Sequence, residues 1–463
     1  MIGSNRRTYY DWITLGIYIS LLAIGWFSVY SATNTFEEFN NFLDPSSPKV
    51  KQLIYLVLAL LIFGVVQFID TRFWHTFAYI IYGISLFLLL LVPFIGSEIN
   101  GTRAWFNIGG FSFQPSEFAK FTTSIAVCSY LTYFKVNIKS WNNQWILLCI
   151  IFAPVVLILI QPDAGSALTF FSLFILLYIE GLNPIVYIIF FILLAVFICS
   201  ILFPLAYIYF GVLCVSIIFS SYYFTKIKYQ LLIVISVLVL LSYLFFWVDP
   251  LYAYLLSLII ILIEMYLLYL NRNLKLAIFL PIATGLIILF AYSSVSVFSG
   301  LKEHQQERIK VWLRPSECDP RGSLYNILQS KVAIGSGGFF GKGFLNGNMT
   351  KLKYVPAQST DFIFSTIGEE QGFIGSAIVI LLFTFLSWRI LQFSETSNNK
   401  FASTYSIALA GFIIVHVIVN IGMTLGLVPI IGIPLPFISK GGTSLIVFSL
   451  MLGVFMRMQS KSV

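Results

Sequence analysis

Unbroken apolar runs, such as Leu53 to Ile69 and Leu231 to Val248, recur along the whole chain. They constrain the fold more than any other feature. In hydrocarbon every backbone N–H and C=O must be bonded within protein, so only helices and closed barrels cross a bilayer. A spanning helix takes about 20 mostly apolar residues, whereas barrel strands alternate polar and apolar over about ten residues. That alternation is absent here. Of 463 residues, 59% are hydrophobic and only 10% charged, against roughly 25% charged in soluble proteins, which excludes a soluble globule. The runs predict an all-α polytopic membrane protein with helices near 12–31, 53–69, 77–95, 117–134, 145–160, 165–180, 184–204, 207–224, 230–248, 251–270, 276–294, 362–388, 403–428 and 441–457, fourteen in all.

Charge placement orients these spans. With a cytoplasmic N-terminus, the inside loops hold Arg72, Lys135 and Lys139, Lys226 and Lys228, Arg272 and Lys275, Arg389 and Lys400, and the tail adds Arg457 and Lys461. Lys and Arg favour short inside loops, so both termini are expected in the cytoplasm. The first residues, with Arg6 and Arg7, precede an apolar run without a small-residue cleavage site, and an uncleaved first helix is expected. Cys128, Cys149, Cys199 and Cys214 fall in apolar segments and Cys318 in a polar one, which gives neither a disulfide framework nor a CxxC metal site. The histidines His75, His304 and His416 are far apart in sequence.

Two polar segments then lie outside: Ser97 to Ser116, and a long one of about 67 residues, 295–361. Loops of that length are uncommon unless functional or disordered, and its aromatics, Trp312, Tyr325, Phe339, Phe340, Phe344 and Tyr354, point to a folded extracytoplasmic element. It carries nine Lys and Arg against five Asp and Glu, an excess of +4 that suggests an anionic partner, phosphate above all. Gly335 to Gly343 supplies flexible amides and Lys342, the ingredients of an anion cradle. No basic helix or known fold points to nucleic acid.

Ionisable groups at the edge of spans mark sites by default. Glu117 and Lys120 are three apart on one helical face and can pair; a capping Glu with a snorkelling Lys would look the same. Asp163, in Gln161-Pro162-Asp163-Ala164-Gly165, is a site residue or a helix N-cap. Asp361 stands where the long loop enters a helix, followed by Glu369 and Glu370. The stretch from Gly426 to Thr443 has three prolines and several glycines and cannot stay helical. Irregular backbone at membrane depth must be buried in protein or line a cavity, so a re-entrant wall near the outer face is expected, with Lys440 able to reach an anion; a plain turn is the alternative.

These blocks resemble the SEDS glycosyltransferases (shape, elongation, division and sporulation). Gly101-Thr102-Arg103-Ala104-Trp105-Phe106 with Gln114 to Lys120 is similar to the family's Arg-x-Trp and QPSE(F/L)AK signature. Gln161 to Gly165 resembles QPDxG, Asp361 sits in a TDFIFxxxGEExGF stretch, and Asn420 to Met423 and Pro434 to Phe437 resemble the NxGM and PLPF blocks. The resemblance implies a ten-helix core, so about four helices are extra. The parts expected are 1–183 and 362–463 as core, 184–275 as inserted helices, 276–294 as a core helix and 295–361 as the large extracytoplasmic loop. An even insertion preserves sidedness downstream. The sequence departs from the family at Pro356-Ala357-Gln358-Ser359, which lacks a common Glu, and at Ser439-Lys440-Gly441-Gly442-Thr443-Ser444, where a cation replaces an aromatic. The loop wording is closer to the elongation members than to the division members.

The resemblance further implies polymerisation of Lipid II, a disaccharide-pentapeptide on undecaprenyl diphosphate, into β-1,4 glycan at the outer face of the inner membrane. It implies a class B penicillin-binding protein transpeptidase as partner, alongside the elongation machinery. The acceptor hydroxyl needs a general base, for which Asp361 is the candidate. The departing diphosphate needs cations, from Arg103, Lys120, Lys342 and Lys440 or from a divalent ion, Mg or Mn. Glu117 would orient Lys120, Trp105 would pack on lipid or sugar, and Asp163 would support the cavity. A Lipid II flippase and a non-catalytic scaffold for the transpeptidase are the rival readings.

Overall fold

The computed structural model describes residues 10–33, 47–99, 102–108, 111–133, 136–221 and 274–462, with scattered helical positions between 237 and 266. Most of the helices expected at 230–248 and 251–270, Glu264 included, lies outside the described residues, as do Arg6, Arg7, Lys135, Lys226, Lys228 and Arg272. Nine described helices are long and apolar enough to cross a membrane, and Ala164–Ile179 and Leu205–Phe219 are shorter apolar helices. With the sequence's charge pattern and family motifs, this makes the chain an integral membrane protein. Its helices divide between two compact units, Met1–Asn183 with Asp319–Val463, and Pro184–Cys318.

In the first unit the Pro115–Leu131 helix is buried on all sides except at Phe118 and Tyr130. Its sequence explains this: Ala119, Thr122, Thr123, Ser124, Ala126 and Ser129 are small, and small residues let helices approach closely without a hydrophobic drive between them. It packs against Thr71–Ile95, Trp141–Ile160, Lys400–Thr424 and Gly442–Ser462. Peripheral helices show the complementary pattern, with Leu61, Ile80 and Phe87 exposed where lipid would lie.

Helix starts follow capping chemistry. Ser47 accepts from Val50 N at 3.4 Å ahead of Pro48, and Asp70 accepts from Arg72 N at 3.0 Å. Asp163 is indeed an N-cap, accepting from Ser166 N at 3.0 Å. The expected 165–180 helix is divided into Ala164–Thr169, a 3-10 turn at Phe170–Ser172, and Leu173–Ile179.

The segment expected as a short polar loop, Ser97 to Ser116, instead holds a three-stranded antiparallel sheet: β1 Ser97–Ile99, β2 Thr102–Ile108 and β3 Phe111–Phe113. Trp105 pairs with Ser97, and Phe106 with Phe113. In the 295–361 stretch, the residues beyond the Leu274–Gly300 helix contain the helices Glu303–Leu313, Tyr325–Ser336 and Asn348–Lys351.

The Ile363–Thr396 helix is interrupted at Gly372, whose φ of 66° and ψ of −158° are open to glycine and costly for other residues. The break receives the glycine-rich segment. Lys342 N and Gly343 N donate to Glu369 O and Glu370 O at 3.1 and 2.9 Å, while Phe373 N and Ile374 N donate to Gly338 O and Phe339 O at 3.0 and 3.2 Å. A Cβ on Gly372 would stand 2.3 Å from Gly341 N. The amides of Lys342 and Gly343, read from sequence as part of an anion cradle, are thus spent on carbonyls freed by the broken helix.

In the second unit, Leu274–Gly300 packs on Pro184–Leu202 and Leu205–Ser221. Arg314 Nη2 donates to Ile201 O and Leu202 O at 2.8 and 2.9 Å, a cation on the unsatisfied carbonyls at a helix C-terminus.

Candidate active site

The irregular stretch after the Lys400–Thr424 helix is the scaffold of the site. From Gly426 to Gly441 it is non-helical, yet Ile433, Leu435, Phe437, Ile438 and Ser439 are buried. It passes close to two helices: a Cβ on Gly25 would stand 2.5 Å from Phe437 O, and one on Gly165 2.5 Å from Ile431 O. Side chains satisfy two of its buried backbone groups. Asn420 Nδ2 donates to Ile433 O at 2.8 Å, and Ser439 Oγ accepts from Leu435 N at 2.8 Å.

The same groups hold Asp361. Asn420 Nδ2 also donates to Asp361 O at 2.9 Å, Ser439 Oγ donates to Thr360 O at 2.7 Å, and Lys440 N donates to Ser359 O at 2.8 Å. Asp361 is half-buried, and Gly432, at φ 80°, places its Cα so that a Cβ would lie 3.5 Å from Asp361 Oδ2. Asp361 and Lys440, distant in sequence, are therefore fixed on adjoining backbone.

Lys440 has a second cation beside it. Gly442 packs against the ring of Tyr55, a Cβ there falling 2.3 Å from Tyr55 Cε1. Lys51 is one helical turn from Tyr55 on the Pro48–Val66 helix, and Lys440 is two residues before Gly442. Burial, and then the Lys51 ammonium, push the Lys440 pKa below the usual lysine value. Sequence reasoning missed Lys51, because a Lys near the mouth of a span is ordinary until its neighbour is known.

Beneath Gln114, the expected pairing of Glu117 and Lys120 is present: Lys120 Nζ donates to Glu117 Oε1 at 2.7 Å, with exposures of 1% and 3%. Lys120 Nζ also lies 3.0 Å from Nε2 of fully buried His416. Gln114 ties this helix to its surroundings. Its N–H donates to Thr443 Oγ1 at 3.1 Å and its Nε2 to Asp163 Oδ2 at 3.1 Å, while Thr443 Oγ1 donates to Ser112 O at 3.0 Å. Asp163 thus bridges Gln114 and its own helix start.

The remaining expected residues make other contacts. Arg103, exposed on β2, pairs with Glu98 at 3.4 Å; Trp105 is half-buried on the same strand. Lys342 is committed to Glu369 Oε1 at 2.7 Å, an acid that also accepts from Met349 N, Thr350 N and Thr350 Oγ1 at 2.9, 2.9 and 2.7 Å. Among the described residues no three His, Cys, Asp or Glu gather as a metal cage.

Comparison with known proteins gives the family. The sequence matches the FtsW, RodA and SpoVE group, described as cell cycle proteins, over residues 11–211 and 207–463. The chain belongs to this family. It is 28% identical over 465 residues to the peptidoglycan glycosyltransferase MrdB of Escherichia coli K12, covering 99% of each chain. It is 28% identical over 463 residues to the peptidoglycan glycosyltransferase RodA of Treponema pallidum, covering 98% of each. The fold is similar to that of a chain in a peptidoglycan synthase complex, with a TM-score of 0.62 at 24% identity over 97% of both. It is also similar to the rod shape determining protein RodA of Thermus thermophilus, with a TM-score of 0.56 at 23% identity over 98% of this chain and 97% of that one.

Proposed function

We propose that this protein is a peptidoglycan glycosyltransferase that polymerises Lipid II into β-1,4 glycan at the outer face of the bacterial inner membrane, in cell elongation. Family membership and the named activity of its relatives support the reaction class. The observation that carries the residue assignment is the seating of Asp361 on backbone shared with Lys440.

In this reading Asp361 takes the proton of the acceptor 4-hydroxyl as that oxygen attacks the donor's anomeric carbon. The bond to the diphosphate breaks in line, its electron pair leaves with the diphosphate, and the configuration inverts from α to β. Lys440, on the backbone adjoining Asp361, and Lys51 beside it stabilise the departing charge. Glu117, Lys120 and Asp163 form the polar network about the Gln114 helix start, and Arg103 and Trp105 present a charged and an aromatic group on β2. Lys342 holds the loop through Glu369 and has no part in the chemistry. A Mg or Mn ion, which one carboxylate and the diphosphate itself would hold, would share that charge with the lysines.

Asp11, Arg389 and Gln459 meet at one end of the first unit, and Asp361 and Lys440 lie together at another position along the same helices. With the charge bias of the loops, this supports cytoplasmic termini and an outer site. A class B penicillin-binding protein is the proposed partner, since glycan strands must be crosslinked as they are made. Polymerisation of purified Lipid II, with and without that partner, tests the reading. Wild type should form glycan strands, and Asp361→Asn should lose at least about 100-fold in rate while staying folded and partner-bound. Wild-type inactivity with its partner, or an unimpaired variant, would overturn it; lipid flipping would then be the reaction to assay.

A further inference from the structure

His416 is a buried titratable group that the mechanism above leaves unused, and it contacts Lys120 directly. It is fully buried, and both ring nitrogens are engaged: Nδ1 with Phe412 O at 2.8 Å and Nε2 with Lys120 Nζ at 3.0 Å. A carbonyl only accepts and an ammonium only donates, so Nδ1 carries the hydrogen and Nε2 is the acceptor. The two partners thereby fix one neutral tautomer, and the ring is held further by edge contact with Phe448 at 4.9 Å. Two of the three Lys120 N–H vectors are thus set by Glu117 Oε1 and His416 Nε2. Glu117 Oε2, buried, has no hydrogen-bond partner among the described residues.

The link to the site runs through one turn of helix. His416 and Asn420 are four residues apart on Lys400–Thr424 and so lie on one face about 6 Å apart along the axis. Asn420 holds the backbone of Asp361 and of Ile433. One rigid turn therefore fixes the Lys120 ammonium and the Asp361 backbone relative to each other.

We propose that His416 is a positioning residue for the glycosyl transfer: as a neutral acceptor it fixes the Lys120 ammonium, held against Glu117, in register with the Asp361 backbone that Asn420 holds. The contribution to rate rests on the glycosyltransferase reading; the hydrogen-bond geometry does not.

Two variants separate positioning from packing. His416→Phe keeps the ring and its edge contact with Phe448 but removes the acceptor, and His416→Gln brings a carbonyl oxygen to within reach of Lys120. In polymerisation of purified Lipid II with the partner transpeptidase, His416→Phe should lower kcat about 10- to 100-fold with KM within about threefold, and His416→Gln should recover most of the loss. A Phe variant within twofold of wild type, or a folded Gln variant as impaired as Phe, would overturn the proposal. The second readout needs no turnover. The chain has three histidines, so selective 15N-histidine labelling of the full protein, with His416→Gln to assign its signals, reports the ring directly. A neutral ring protonated at Nδ1, unchanged between pH 6 and 8, is expected; a charged ring or an Nε2–H tautomer would overturn it. Should wild type itself prove inactive, the polymerase reading fails while this arm still decides the geometry.

Discussion

At the residue scale, Lys440 and Lys51 form the most testable pair. Their ammonium groups share a half-buried corner, and the Lys440 pKa is depressed, first by burial and then by Lys51. An ammonium is charged below its pKa, so Lys440 loses its charge at a lower pH than an ordinary lysine. If that charge stabilises the departing diphosphate, the alkaline limb of kcat/KM lies below the usual lysine range. Lys51→Gln removes the like charge and should move this limb to higher pH, while Lys440→Gln should abolish it and reduce kcat/KM by about 10- to 1,000-fold. A pH–rate profile of the three proteins checks both. Asp361 and Lys440 were legible as unusual residues, because charge at the edge of a span is costly. Lys51 and His416 were not, since an ordinary Lys near a helix start and one His in an apolar run acquire meaning only from neighbours 389 and 296 positions away.

At the element scale, the broken Ile363–Thr396 helix and the segment docked into it act as one unit. Glu369 is fully buried and accepts from Lys342, two backbone amides and the Thr350 hydroxyl. Glu369→Leu should therefore destabilise the fold by about 3 kcal/mol, read as a lower Tm of the detergent-purified protein. Lys342→Met, which leaves the three other donors to Glu369 in place, should lower Tm less and leave the polymerisation rate within about threefold, since the structure ties this lysine to the clamp. The sequence showed flexible glycines and a basic residue, and an anion cradle was a reasonable expectation from composition. The pairing went otherwise because a helix break frees carbonyls, and the amides of 342 and 343 satisfy two of them.

At the scale of the whole molecule, three distant parts of the chain are tied at one end. Asp11 accepts from Arg389 Nη2 at 2.8 Å, from Gln459 Nε2 at 3.1 Å and from Thr14 Oγ1 at 2.6 Å. Burial raises its carboxyl pKa, but these hydrogen bonds outweigh that and hold it below its usual value. The folded pKa is depressed, so this knot's stabilisation is present above the ordinary value of 3.8 and is lost as pH falls through the folded pKa. Asp11→Asn should lower Tm at neutral pH and flatten the fall in Tm on acidification below about pH 4, measured by thermal scans from pH 3 to 7. The sequence by itself determined that the chain is a helical membrane protein, where many of its helices run and which polar blocks are unusual, because the bilayer enforces length, apolarity and charge bias locally. It did not reveal the small sheet at 97–113, whose strands are held by pairing with one another. Only the tertiary structure decided that Asp361 sits with Lys440 and Asn420, that Lys120 has His416 as well as Glu117, and that Lys342 turns to Glu369. Each of these depends on how helices far apart in sequence pack, and a hydrogen bond specifies a partner only once that packing brings donor and acceptor within reach.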